Sequence, residues 1–362
     1  MKNDQIKDRS MLNEIVQPLT DWYRQNKRIL PWRDQNNAYY TWVSEIMLQQ
    51  TRVEAVKPYF LRFIGELPDV KALAECPEEK LMKLWEGLGY YNRVRNMQTA
   101  AQNVVSEYSG ILPASYEELL ALKGIGSYTA GAIASIAYDI PVPAVDGNVL
   151  RVFSRITEDR QDIMKQSVRR QVEEKLLGIM PKEAPGDFNQ ALMELGAVVC
   201  VPNGPARCTE CPVAAFCRAY HHGIVDELPV KAPKKKRTIE NRTVLVIQDG
   251  ERTAIHKRPQ EGLLAGLYEL PNVEGHLSMD EALQKVKEMN LEPLHIEPLP
   301  EAKHIFSHIE WRMTGYRIRV SSLEERKESS FIFTEKKQSE KQYAIPSAFR
   351  AYIKYMKEKP GK

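Results

Sequence analysis

Residues 120–152 read LALKGIGSYTAGAIASIAYDIPVPAVDGNVLRV, and this stretch decides the fold of the first half of the chain. It opens on an apolar helix end, Leu120 to Leu122. A turn follows, Lys123-Gly124-Ile125-Gly126, and then a second helix, Thr129 to Ala137. Two glycines so close together permit φ > 0 and leave backbone N–H groups uncovered. Those groups point outward at a helix start, where the macrodipole favours an anion. Helix, G-x-G turn, helix is therefore a hairpin suited to gripping a nucleic-acid phosphate. Pro141-Val142-Pro143 stops the second helix, and Asp146 stands just before a third, Asn148 to Ile156. Taken singly, each feature has an ordinary explanation: G-x-G turns between helices are common, and an aspartate before a helix is a routine N-cap. The functional reading rests on what the rest of the chain adds.

At 362 residues the chain is long enough for two domains. It is 43% hydrophobic and 27% charged, as in ordinary globular protein, with a net charge of only +3. Nucleic-acid binding must then come from local patches. No apolar run reaches membrane-spanning length, and the N-terminal MKNDQIKDRSMLNEI lacks a signal-peptide core. A cytoplasmic protein is the expectation, with no membrane partner.

Residues Met11 to about Tyr220 read as nearly all helix, with Leu12, Ile15, Val16, Leu19 and Trp22 at helical spacing. Pro31, Pro58, Pro68, Pro77 and Pro113 punctuate the bundle. Further helices are expected at Val168–Ile179 and Phe188–Val199. From Val225 to Glu240, VDELPVKAPKKKRTIE has no apolar period and reads as a basic linker. Its Lys234–Arg237 run is either a solvated tether or a phosphate contact. Past Asn241 the pattern becomes α/β: strands at Thr243–Ile247, Thr253–Lys257 and Trp311–Val320, with helices at Met279–Met289 and Ser347–Met356. The domain boundaries expected are 8–224, 225–240 and 241–356.

Four of the five cysteines fall within residues 200–217, spaced Cys200-x7-Cys208-x2-Cys211-x5-Cys217. Such crowding points to a metal or cluster site. A structural zinc often shows paired C-x2-C knuckles; one such pair with uneven arms tilts toward a [4Fe–4S] cluster. Cys76 stands apart and reads as structural. Glu45, in WVSEIMLQQT (42–51), is flanked by apolar residues. It is either a surface glutamate on an amphipathic helix or a half-buried carboxyl whose pKa is raised enough to make it an acid near neutral pH. With Asp146 it would form the carboxyl pair that cleavage of a glycosidic bond requires: a protonated acid for the leaving group and an ionised carboxylate beside the oxocarbenium-like centre. Such chemistry on a base also requires flipping it from the stack. Tyr90 and Tyr91 in GLGYYNR (87–93), or Gln50, could wedge into the gap; the alternative is a glycine-loosened helix junction with core aromatics.

LPWR at 30–33, SEIMLQQT at 44–51, GLGYYNR at 87–93, LKGIGSYTA at 122–130, VDGNV at 145–149, FNQALMELGA at 188–197 and the four cysteines together closely resemble MutY-type adenine DNA glycosylases of the endonuclease III-like superfamily. The resemblance covers essentially the whole chain. It implies a mainly α N-terminal helix-hairpin-helix glycosylase domain with a [4Fe–4S] module, joined to an α/β Nudix-like C-terminal domain. It implies excision of adenine paired with 8-oxoguanine or guanine in double-stranded DNA, by a monomer. Carried over residue by residue, Glu45 is the acid that protonates adenine N7 and directs water, and Asp146 stabilises or transiently bonds the sugar cation. Tyr128 supports that intermediate and Asn148 lies beside the aspartate. Arg28, Trp32, Arg33, Leu48 and Gln190 form the adenine pocket; Gln50, Thr51, Leu88 and Tyr90 face 8-oxoguanine, with Phe306, Ser307 and His308 as its reading loop. Lys123, Gly124 and Gly126 hold a DNA phosphate, and Cys200, Cys208, Cys211 and Cys217 bind the cluster.

Three differences matter. Endonuclease III-like lyases carry a lysine where this chain has Tyr128, and a tyrosine cannot form a Schiff base, so a monofunctional glycosylase is expected. The family usually spaces its first two cluster cysteines by six residues, whereas seven stand here, Val201 to Arg207. The helix Met279–Met289 lacks the Arg-Glu-x-x-Glu-Glu pattern of a Nudix hydrolase, so nucleotide hydrolysis is not expected. Two rival readings stay in view: a bifunctional glycosylase/lyase for oxidised pyrimidines, opposed by Tyr128, and a non-catalytic DNA-binding protein, opposed by the Glu45–Asp146 pair.

Overall fold

A computed structural model describes residues 9–33, 36–233, 236–322 and 331–357; residue 8 and Lys234-Lys235, which fall within the expected domain limits and linker, lie outside them. The chain divides into two compact units, one of residues 1–75 with 92–233, the other of residues 76–91 with 234–362.

The first unit is helical, as the periodicity requires. Its helices include Val16–Asn26, Ala38–Leu48, Val53–Glu66, Asn92–Tyr108, Tyr116–Ala121, Ser127–Tyr138, Gly147–Thr157, Gln166–Leu177 and Pro185–Val198. Side-chain caps start several of them: Asn37 accepts from the Tyr40 N–H, Ser115 from Glu118, and Asp146 from Val149. Pro31, Pro68, Pro77 and Pro113 fall between helices, but Pro58 lies inside Val53–Glu66. The core joins Leu12, Ile15, Leu19 and Tyr23 to Val149, Phe153, Ile156, Leu176, Phe188 and Leu192. Each such fully buried side chain contributes roughly 1.5–3 kcal/mol. Helix Pro185–Val198 approaches Gly147–Thr157 closely because Gly196 has no side chain: a Cβ there would stand 2.6 Å from Cβ of Asn148.

The second unit is built on a sheet whose strands are β1 (Thr238–Asp249), β2 (Arg252–Lys257), β3 (Tyr268–Glu269), β4 (Asn272–Glu274), β5 (Pro293–Ile305), β6 (Ile309–Val320) and β7 (Phe331–Glu335). Their order is β3-β2-β1-β6-β5, with β4 on β1 and β7 on β2. Strand β1 (Thr238–Asp249) pairs in parallel with β6 (Ile309–Val320). Alternation along β1 sends Val244 and Val246 to a core with Trp311, Met313, Phe349 and Tyr352. Leu245 and Ile247 face the other side, against Ala282, Val286 and Ile318. Strand β1 starts at Thr238, earlier than its Thr243–Ile247 apolar run suggests, so the expected linker ends inside the sheet. Strand β5 (Pro293–Ile305) is not legible in the sequence: Pro293, Pro298 and Pro300 argue against a strand, and it forms because β5 is an edge strand where missing N–H donors are tolerated. Ser347–Met356 is helical but breaks into short α and 3₁₀ pieces.

The segment 76–91 belongs with this sheet. Glu79 Oε1 accepts from the Tyr268 hydroxyl (2.8 Å), Lys83 Nζ donates to the Tyr343 carbonyl (3.0 Å) and the Ile345 N–H donates to Glu86 (2.8 Å).

Candidate active site

Glu45 lies in the helix Ala38–Leu48, where Trp42, Val43, Ile46 and Met47 are buried around it. The carboxyl itself is only 7% exposed, so it is no surface glutamate. Burial raises its pKa to about 7; the Tyr128 hydroxyl opposes that rise, the Asp146 charge adds to it, and Arg33 lowers it. The hydroxyl of Tyr128 donates to Oε2 of Glu45. Burial and the two carboxylates keep Tyr128 protonated, with a pKa well above the ordinary value.

Tyr128 is placed there by the hairpin. Leu122 and Ile125 are buried, while Lys123 and Gly124 are exposed. Gly124 adopts φ 81°, where L side chains are strained, and a Cβ would also meet Cβ of Asn96 at 2.8 Å. Gly126 does not use positive φ: it is the extended N-cap of Ser127–Tyr138, φ −97°. That helix has no side-chain cap, so its first-turn N–H groups suit a phosphate.

Asp146 is both the N-cap and a member of the site. Oδ1 accepts the Val149 N–H (2.8 Å) and Oδ2 accepts Nδ2 of Asn148 (2.7 Å). Burial raises its pKa, while these hydrogen bonds and the charge of Arg151 pull it down. Asn148 is oriented in turn: its Oδ1 accepts from Arg151 (2.9 Å), which also donates to the carbonyls of Gly196 (2.6 Å) and Cys200 (2.9 Å). Glu45, Tyr128 and the Asp146–Asn148 pair, from three separate helices or helix starts, thus form one polar group in the first unit.

The pocket residues reveal a partner that the sequence reading missed. Glu194, fully buried on Pro185–Val198, accepts from Arg28 Nε (2.6 Å) and Nη2 (3.0 Å) and from Arg33 Nη2 (2.8 Å). Arg33 also lies 5.6 Å from the Tyr23 ring centroid. Glu194 thus holds the two arginines in one ion cluster. A single acid in the apolar run ALMELG, one turn past Gln190, was the available signal, because a buried carboxylate must be paired. Trp32 is buried and edge-on to Phe60 (5.3 Å). Leu48 and Gln190 are half-buried. Gln50 adopts φ 62° and Tyr90 φ 48°, sparsely populated for side-chain-bearing residues. Such strain clusters at functional sites.

In the second unit, residues 306–308 form the β5–β6 turn, closed by the Phe306 N–H to the Ile309 carbonyl (2.8 Å). Ser307 and His308 are exposed, whereas the Phe306 ring is anchored against Trp311 (5.0 Å) and His304 (4.6 Å). Ser307 Oγ lies 2.8 Å from the hydroxyl of Tyr90; Leu88 is buried nearby in the chain, and Thr51, in the first unit, is half-buried.

Cys200, Cys208, Cys211 and Cys217 line one cavity with Val152, Ile156 and Leu195, about 380 Å³ including its mouth. Arg155 Nη1 lies 3.2 Å from Sγ of Cys200. Among the described residues no three Cys, His, Asp or Glu gather as a single-ion site. The longer first spacing is absorbed in a surface loop closed by the Arg207 N–H to the Val199 carbonyl (3.0 Å). Cys76 is buried, in the segment 76–91 of the second unit.

Comparison with known proteins bears on the family and the fold. The HhH-GPD superfamily of base excision DNA repair proteins matches residues 43–177, and a NUDIX domain matches residues 243–355. The chain is 36% identical to an adenine DNA glycosylase of Mus musculus, over 83% of this chain and 70% of that protein. It is 33% identical to one of Buchnera aphidicola, over 82% and 83% respectively. A thermostable thymine-DNA glycosylase structure aligns at a TM-score of 0.51 and 25% identity, over 60% of this chain and 98% of that one. A structure of an endonuclease III–DNA complex shares the fold, at 0.51 and 24%. Family, fold and the buried carboxyl pair agree: the chain belongs to the adenine DNA glycosylases, base excision repair enzymes of the helix-hairpin-helix superfamily joined to a Nudix-like domain.

Proposed function

We propose that this protein binds duplex DNA as a monomer, flips out adenine opposite 8-oxoguanine or guanine, and hydrolyses its N-glycosidic bond. The observation that carries the reading is a carboxyl buried among Trp42, Ile46 and Met47 with its pKa raised to about 7, beside a second carboxylate pinned by two donors. Glu45, half-protonated near neutral pH, gives its proton to adenine N7 and makes the base a neutral leaving group. Asp146, held ionised by Asn148 and the Val149 N–H, stabilises the sugar cation or bonds to it transiently. Water directed by Glu45 completes hydrolysis. Tyr128 shares its proton with Glu45 and offers no amine, so the strand stays intact.

Lys123, Gly124 and the uncapped start of Ser127–Tyr138 grip a backbone phosphate. Arg28, Trp32, Arg33, Leu48 and Gln190 receive the adenine. Gln50, Thr51, Leu88 and Tyr90, with the turn at Phe306, Ser307 and His308, read the opposing base. The Tyr90–Ser307 contact and the positive φ of Gln50 and Tyr90 support that assignment. Four cysteines around one cavity, with a single C-x2-C pair and uneven arms, fit a [4Fe–4S] cluster better than zinc. Such a cluster would supply structural cross-linking of the loop 200–217. Among the described residues no helix is long and apolar enough to cross a membrane. A duplex-DNA substrate places the proposed activity at the nucleoid, in the cytoplasm.

The test is a duplex bearing one adenine opposite 8-oxoguanine, incubated and then treated with alkali. Strand cleavage only after alkali is the expected result. Cleavage without alkali, with a borohydride-trapped adduct, would favour a lyase; binding without base release would leave only a DNA-binding protein.

A further inference from the structure

The helix Gln166–Leu177 takes no part in the chemistry above, yet one of its faces touches both turns that present the reacting groups. Arg169 and Glu173 are one helical turn apart and so share a face. Arg169 Nη1 donates to the carbonyl of Val145, the residue before Asp146. The Ser127 hydroxyl, next to Tyr128 in the chain, donates to Glu173 Oε1 (2.9 Å). Arg169, Glu173 and Ser127 are all half-buried, and Val145 is fully buried. The helix is itself fixed by Val172 and Leu176 in the core.

We propose that Arg169 and Glu173 are positioning residues, which fasten the Val145–Asp146 peptide and the Ser127–Tyr128 turn to one rigid helix so that the carboxylate and the phenol keep their mutual geometry. This rests on the glycosylase reading above. The carbonyl of Val145 precedes the Asp146 N-cap, so it ends no helix and has no intrahelical partner; a buried carbonyl of that kind needs a donor. Arg169 supplies it. Fixing that peptide plane fixes the direction from which Asp146 Cβ leaves the backbone. Arg169 bonds the backbone at the Val145 carbonyl, whereas Arg151 bears on the Asp146 carboxylate by its charge. The two arginines therefore have separable roles, one on the peptide and one on the carboxylate.

The test compares wild type, Arg169→Gln, Arg169→Lys and Glu173→Leu. Three quantities are read: amide exchange at residues 146–149 of the free protein, affinity for duplex carrying a non-cleavable adenosine analogue, and single-turnover excision at saturating enzyme across pH. Arg169→Gln is expected to speed exchange at 146–149 and to slow excision by about tenfold or more, since small misplacements of reacting groups are costly. Affinity should stay within about threefold of wild type, and the acid limb of the pH profile should not move. Arg169→Lys should recover part of the rate and Glu173→Leu should lose a smaller part. Unchanged exchange and rate would overturn the proposal. So would a loss confined to affinity, which would make Arg169 a phosphate contact. If wild type releases no adenine, the glycosylase reading fails; if wild type is active and Arg169→Gln equals it, only the positioning role fails.

Discussion

Glu45 shows how an acid is made from its surroundings. Its carboxyl binds a proton more tightly when folded than when unfolded, because burial penalises the charge. The fold therefore loses stability as pH rises from the ordinary value of 4.5 to about 7, and the penalty is constant above that. Glu45→Gln should keep DNA binding and lose excision, and it should stabilise the free protein at pH 8 by on the order of 1–3 kcal/mol relative to its effect at pH 4. Thermal melts at the two pH values check this; equal shifts at both would mean the carboxyl is not strained by burial. The identity of Glu45 was legible because the sequence motif carries it. Its 7% exposure was not, because local sequence offers both an amphipathic surface and a cleft wall. Glu194 was missed for a related reason: its partners Arg28 and Arg33 lie more than 160 positions away, and sequence spacing says nothing of such a pair.

At the scale of elements, the site depends on how closely helices approach. Gly196 lets Pro185–Val198 pack on the helix that follows Asp146, and its carbonyl accepts a hydrogen bond from Arg151. A Cβ there would press on Asn148 and stand 3.3 Å from Arg151 Nη2. Gly196→Ala should therefore lower excision by about tenfold or more through Asn148, beyond any fall in melting temperature. Excision that tracks only the folded fraction would contradict this. The helices and the hairpin were legible from apolar period, prolines and the G-x-G turn. Strand β5 was not, because three prolines contradict its local propensity and only its place at the sheet edge permits them. The Gly126 turn was half legible: one glycine uses positive φ, and the other serves as an extended N-cap.

At the scale of the molecule, the chain's order and its compact units do not coincide. Residues 76–91 lie within the helical half of the sequence but pack with the C-terminal sheet through Tyr268, Tyr343, Ile345 and Ser307. Periodicity could not show this, because a helix declares an apolar face without naming what covers it. A chain ending at Pro233 should show faster amide exchange in 76–91 than in the helix Gly147–Thr157; uniform protection would mean the sheet is not what holds the segment. Bond cleavage, as proposed, makes one demand on the whole enzyme: a buried Glu45 must be protonated while Asp146 is ionised. The most direct test is the pH dependence of single-turnover adenine excision from a duplex with adenine opposite 8-oxoguanine. The account predicts a rate that falls toward tenfold per pH unit above about 7, with intact strands throughout until alkali is added. A rate that holds level to pH 9, or excision retained in full by Glu45→Gln, would contradict it.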